Sequence, residues 1–194
     1  MIIYAKAQHI KAAHLCQAQN DVRYYLNALH FIGNQIQATD GHRAFRLTHD
    51  LINAPETGLL LKVSKVPTMR GIETAAIDVD AGIVYWLPLP YDKPEDLKDV
   101  DLQKSRVAVG TVDLVDGRYP DLRRVFTEVD AKREGVKVIG FNVEYFAVIT
   151  RICKALQMKS SIVKITLQDA TTAAFVEIKS HNGVAEYAVM PARL

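Results

Sequence analysis

The densest group of chemistry-bearing side chains is Thr39-Asp40-Gly41-His42-Arg43, which sets a carboxylate, an imidazole and a guanidinium almost side by side. On a strand, Asp40 and His42 would share one face. Joined by His49 and Asp50, they would offer ligands for a metal-assisted hydrolase. The Asp-Gly dipeptide argues instead for a tight turn, and spacing places no third ligand. The segment therefore reads as a recognition loop, with no metal and no catalytic residue. Elsewhere there is no G-x-x-x-x-G-K-[ST] or G-x-G-x-x-G to cradle a phosphate. The six histidines form no H-E-x-x-H pair. Ser180 stands beside His181 in a hairpin turn, without the strand-turn-helix elbow that a nucleophilic serine needs. Cys16 and Cys153 lie outside any C-x-x-C and read as reduced, buried small apolar residues. An enzyme has no support in these residues, and no cofactor is expected.

The elements that must position such a loop come from an ordinary globular composition. The 194 residues are 49% hydrophobic and 24% charged, which excludes a disordered or collagenous chain. No apolar run reaches the roughly 18 residues of a membrane span. The N-terminus lacks a basic stretch followed by an apolar one, so a cytoplasmic protein is expected. With 24 Lys and Arg against 22 Asp and Glu, the formal charge of +2 carries no sign of a nucleic-acid partner.

Turn signals divide the chain. Gly33-Asn34 separates strand-forming residues 22–32 from 35–47. Asn182-Gly183 separates 173–179 from 184–190 as a type I′ hairpin would. Asp80-Ala81-Gly82 and Asp169-Ala170-Thr171 are further turns. Helices are expected over 7–19, from Ser64 with Pro67 in its first turn, and over 142–158, where Phe146, Ile149, Cys153 and Leu156 fall on one face. Arg151, Lys154 and Thr150 fall elsewhere on this third helix. The pattern is strand–helix–strand–strand three times, over about 1–54, 55–126 and 127–194. An acidic, turn-prone insert at 91–103, with Asp92, Glu95, Asp96, Asp99 and Asp101, stretches the middle unit. An α+β architecture with antiparallel sheets and helices on one face follows.

Several segments together resemble one family. Asp21-Val22-Arg23-Tyr24-Tyr25-Leu26-Asn27 and Ala38-Thr39-Asp40-Gly41-His42-Arg43 are similar to the middle domain of the bacterial DNA polymerase III beta subunit, the sliding clamp. Val115-Asp116-Gly117-Arg118-Tyr119-Pro120-Asp121-Leu122-Arg123-Arg124-Val125 resembles the join between that family's second and third domains. Ile139-Gly140-Phe141-Asn142-Val143-Glu144-Tyr145 and the closing Tyr187-Ala188-Val189-Met190-Pro191-Ala192-Arg193-Leu194 resemble the end of its third domain. The first domain and part of the third have no counterpart, as in a compact phage, plasmid or mobile-element version.

The resemblance implies the DNA clamp fold, antiparallel sheets outside with helices lining a ring. Residues 1–126 would form a domain of two units and 127–194 half a domain. The implied function is a polymerase processivity factor without catalytic activity. It would encircle double-stranded DNA as a homo-oligomeric ring, without reading sequence. Three units in a ring of twelve favour a tetramer over a trimer, closed by head-to-tail contacts. The DNA-facing residues would be Lys6, Lys11, Lys65, Arg70, Arg151, Lys154 and Lys159, with Asn20, Arg23, Tyr24 and Tyr25 on a loop. A pocket for short clamp-binding peptides of a polymerase or clamp loader would use Leu26, Thr39, Gly41, His42, Arg43 and Pro120. Arg124, Val125, Val189, Met190, Pro191 and Arg193 complete it. Ala44 and Ala192 stand where the family has larger side chains, which enlarges or flattens the pocket. The alternative is a clamp-derived module that binds the same peptides without encircling DNA and competes with a host clamp.

Overall fold

Alternating apolar residues and short Gly- or Asp-bearing turns make this chain mostly strand, as a computed structural model shows for residues 1–49, 51–126, 138–160, 162–180 and 183–192. The strands are β1 (Ile2–Lys6), β2 (Leu29–Ile32), β3 (Gln35–Thr39), β4 (Arg43–Thr48), β5 (Leu59–Val63), β6 (Thr74–Asp78), β7 (Ile83–Leu87), β8 (Ala108–Leu114), β9 (Lys164–Thr166), β10 (Ala174–Ser180) and β11 (Gly183–Val189). They form one antiparallel array in the order β1-β6-β7-β8-β5-β2-β3-β4-β11-β10-β9. The first two units interlock. The opening strand of each, β1 or β5, pairs with the other unit's strands, β1 on β6 and β5 on β2. The third unit joins through β11, which pairs with β4 from Val184↔Thr48 to Val189↔Arg43.

Two main helices cover one face. In α1 (Ala7–His14), Ala7, His9, Ile10, Ala12 and Ala13 are buried, while Lys11 and His14 sit in the last turn, where cations suit the helix dipole. Helix α3 (Val143–Ala155) starts at Asn142, whose side-chain oxygen accepts from the Glu144 N–H at 3.0 Å. It buries Val148, Ile149, Ile152, Cys153 and Ala155. Both helices share one core with the inward residues of the strands, among them Phe31, Phe45, Trp86 and Tyr187.

The helix expected from Ser64 does not form. Residues 64–73 run as a non-helical connection between β5 and β6. Pro67 disfavours helical geometry at Val66, and Gly71 takes φ +79°, so ten residues cannot repay the cost of nucleation. The Ser64 N–H donates to Thr111 O at 2.9 Å, which ties it to β8 rather than to a helix start. Val66 and Ile72 nevertheless pack on the same core as the helices, so this segment stands on their side.

Other boundaries also moved. Only the last four residues of 22–32 form a strand, since 24–27 turn as a 3-10 helix. Residues 35–47 split into β3 and β4 at Asp40–His42. Gly33-Asn34 is a two-residue hairpin loop, whereas Asn182 and His181 lie outside the described residues.

The acidic insert is an ordered cover. Asp96 Oδ2 accepts from the N–H groups of Asp92 and Lys93, at 2.9 and 3.0 Å. Asp101 caps the single turn α2 (Leu102–Ser105). Tyr91 and Leu97 are buried, and Val100 and Leu102 pack on Ala76, Tyr85 and Leu87, on the face of β6 and β7 away from the helices. Gln103 Nε2 donates to Tyr85 Oη at 2.9 Å.

Candidate functional site

Because side chains alternate along a strand, β4 and β11 present two chemistries. Phe45, Leu47, Tyr187 and Val189 point into the core under the helices. Ala44 and Ala188 point the other way, against Ala173 and Leu122, with Tyr119, Val125, Phe126 and Phe175 packed around them. The connector after β8 thus crosses the face opposite the helices and walls a cleft of about 100 Å³. Its lining comes from Thr39, Gly41, His42, Arg43 and Ala44, and from Val125, Ala173, Ala188 and Met190. A wider hollow of about 540 Å³ continues past Met190 to Pro191, Ala192, Ala170, Thr171 and residues 138–140. The Met190 N–H donates to His42 O at 3.1 Å, so the end of β11 is held at the turn.

The turn itself consumes Asp40. Its Oδ1 accepts from the N–H groups of His42 and Arg43, both at 3.0 Å, and Oδ2 accepts from Arg43 Nε at 2.8 Å. The Arg43 guanidinium also lies 5.2 Å from the Tyr145 ring centre, and the exposed His42 ring stacks on Tyr145 at 6.3 Å. Arg43 therefore braces the cleft rather than offering an open fork. His49 turns away from Asp40 and His42 into the core, where its ring centre stands 4.0 Å from that of His9. Asp50 lies outside the described residues. Among the described residues no three metal-ligating side chains converge.

Of the residues named for the pocket, Thr39, Gly41, His42, Arg43, Val125 and Met190 are brought together, with Pro191 next to them. Val189 is fully buried on the helix side and makes no wall, because its neighbours Ala188 and Met190 take the outward positions. Leu26 is buried. Pro120 and Arg124 are exposed on the connector, and Arg193 lies outside the described residues. The cleft's small floor, Ala173 and Ala188 with Ala44, is the part that residue type alone does not announce. Strand alternation was the available signal. Beneath the cleft, Arg46 Nε donates to Glu186 Oε2 at 2.6 Å across the β4–β11 seam, and the Arg46 guanidinium lies 4.7 Å from the Phe126 ring centre. Burial pushes the Cys16 thiol up to about 12, so it is no nucleophile.

The basic residues divide. Lys11 on α1 and Arg151 and Lys154 on α3 are exposed on the helical side, and no carboxylate among the described residues lies within ion-pairing distance of them. Lys65 and Arg70 are exposed, but on the connection that replaces the expected helix. Lys159 is exposed just past α3. Lys6 sits on the other side of β1. Its Nζ is 3.9 Å from an Asp92 oxygen and 5.9 Å from the Tyr91 ring centre, within the insert. The loop of Asn20, Arg23, Tyr24 and Tyr25 lies by the Asp40 turn. Arg23 donates to both Asp21 oxygens, at 3.0 and 2.7 Å, and to Asp40 O at 3.2 Å. This bond to Arg23 holds the Asp21 carboxyl at about 2.

Comparison with known proteins places this geometry. No protein-family model and no curated protein matches the chain. Solved structures do. A DNA polymerase sliding clamp from Pseudomonas aeruginosa matches with TM-score 0.60 at 18% identity, covering 100% of this chain and 67% of that one. The sliding clamp from Caulobacter crescentus matches with TM-score 0.61 at 18% identity, covering 100% and 65%. The DNA polymerase III subunit beta from Pseudomonas aeruginosa gives 0.58 at 17%, covering 100% and 66%. The chain has the sliding-clamp fold and spans about two thirds of the length of these structures.

Proposed function

We propose that the chain is the subunit of a DNA sliding clamp, a cytoplasmic processivity factor that does no bond chemistry. The observation that carries this reading is the separation of two surfaces on one clamp fold. Cations with no carboxylate within ion-pairing distance among the described residues stand on the helical face, and an apolar cleft opens on the opposite face of the same strands. Lys11, Arg151 and Lys154, supported by Lys65, Arg70 and Lys159, meet duplex phosphates without reading bases, which leaves the protein free to slide. The cleft takes the apolar end of a short peptide from a polymerase or loader, with Met190 as an adaptable wall and His42 at the rim. Residues 1–126 act as one domain and 127–194 as a half domain. Copies of the chain close a ring around DNA, with four favoured over three.

Retention on nicked circular DNA, and release when that DNA is linearised, tests encirclement directly. Equal retention on both forms would overturn the reading. A second reading keeps the cleft alone, as a module that binds clamp peptides without encircling DNA. Native mass spectrometry tests the ring as well, because a monomer at micromolar concentration excludes it.

A further inference from the structure

Rules of contact that recur within the chain say how its open end is filled. In each unit the opening stretch lies against the end of the unit's own last strand. Strand β5 pairs with β8 from Leu61↔Leu114 to Val63↔Val112. Tyr4 of β1 bridges to Ile52 just past β4, and Gly140 bridges to Ala192 just past β11. Tyr4 and Gly140 each stand three residues before their helix, α1 and α3. Residues 138–140 therefore hold, in the third unit, the place that β1 holds in the first.

The next rule is exchange. Opening strands β1 and β5 each add to the three-stranded sheet of the other unit, β1 on β6 and β5 on β2. Among the described residues the third unit has no partner for this. Among the described residues no strand covers the outer edge of β9, the counterpart of β6. The side chains around it show the same gap. Val138 is 69%, Ile162 84% and Ile165 45% exposed. At the opposite end of the array, β1 is already closed by its own chain, through Tyr4–Ile52 hydrogen bonds of 3.1 and 3.2 Å.

We infer that the third unit docks on the third unit of a second copy about a two-fold axis, residues 138–140 of each copy adding to the free β9 edge of the other. The inference rests on the ring reading for its purpose, while the contact itself rests on the topology. An antiparallel join with its axis perpendicular to the sheet keeps the helices of both copies on one face, as the β4–β11 join does within the chain. Charge permits it, since Lys164 of β9 would lie against the uncharged Val138, Ile139 and Gly140. Contact between last strands, as in β4–β11, leaves one further open edge among the described residues, the start of β8, where Val107 and Val109 are exposed. That edge also meets its own copy. Contacts of two self-complementary kinds then alternate around a ring of four, in place of head-to-tail contacts.

The test is native mass spectrometry of the full chain and of two variants, Ile162→Asp/Ile165→Asp and Val107→Asp/Val109→Asp, with circular dichroism to confirm their fold. The wild type is expected as a tetramer, each variant as a dimer, and the combined variant as a monomer. A head-to-tail ring would give monomers from either variant alone, and that result overturns the inference, as would a trimer or a monomeric wild type. Mixing singly substituted Val138→Cys and Ile165→Cys proteins should also give a crosslink between copies that neither forms alone; its absence overturns the exchange. Release from circular DNA on linearisation reports separately on the ring. Monomeric single-edge variants of a protein that is retained topologically would defeat this inference alone. Dimers through the third unit without topological retention would defeat the ring alone.

Discussion

Acidification is expected to destabilise the fold through two buried imidazoles. His9 is fully buried and His49 nearly so, their ring centres are 4.0 Å apart, and no ring nitrogen of either has a hydrogen-bond partner among the described residues. Burial lowers His9 to about 2, helped by His49 and Lys6, and burial with Lys6 lowers His49 to about 3. The folded state therefore holds both rings neutral, while the unfolded chain takes up protons near pH 6.5. This contribution to stability is present in full above pH 6.5. It is lost as pH falls below 6.5, and continues to be lost until the folded values near 2 to 3 are reached. Between pH 7.5 and 5.0 each ring costs about 2 kcal/mol, so the pair costs about 4 kcal/mol. That is a large part of the roughly 5–15 kcal/mol that holds a typical domain together. Urea unfolding at half-unit steps across this range measures it, with His9→Leu/His49→Leu as the control that removes this pair's share of the slope and leaves that of His14, which burial also lowers, to about 4. A loss below about 1 kcal/mol in the wild type, or an unchanged slope in the control, would refute the reasoning.

Three further outcomes follow from the site. Arg151→Glu and Lys154→Glu should weaken retention on DNA and flatten its salt dependence by about one unit of slope per lost phosphate contact, whereas Lys6→Glu should leave both unchanged, because Lys6 faces Asp92 and Tyr91; salt titrations read this. Ala188→Arg should fill the cleft floor and abolish binding of a peptide with an apolar end, while Met190→Ala should cost about 1–2 kcal/mol, near tenfold in affinity by fluorescence anisotropy. Glu186→Ala leaves Arg46 half-buried without its carboxylate and should destabilise the β4–β11 seam by about 1–3 kcal/mol in urea unfolding.

Local chemistry was legible where a residue acts on its immediate neighbours. Asn142 announces the start of α3, Gly33-Asn34 its hairpin and Asp40-Gly41 its turn, because each depends on backbone geometry within a few residues. The order of the segments that resemble sliding clamps pointed to the fold that comparison with solved structures shows. The helix read from Ser64 failed for a non-local reason. Ser64 looks like a cap, yet its N–H is taken by Thr111 of β8, nearly fifty residues away. Lys6 depends on distant residues in the same way. The alternation of β1 and the insert at 91–103 decide which side it faces.

By itself the sequence determined the alternation of apolar and polar residues, the turns, the caps and the supply of charge, all properties of residue type and near spacing. Only the tertiary structure decided that β1 and β5 exchange partners and that Val189 faces the core while Ala188 floors a cleft. It also decided that α3 is the helix beside α1, and that β9 ends the array among the described residues. Strand register and partner choice depend on which distant segments bury each other's apolar faces. No stretch of a dozen residues contains that information, since the same alternation fits either neighbour until the whole core is assembled.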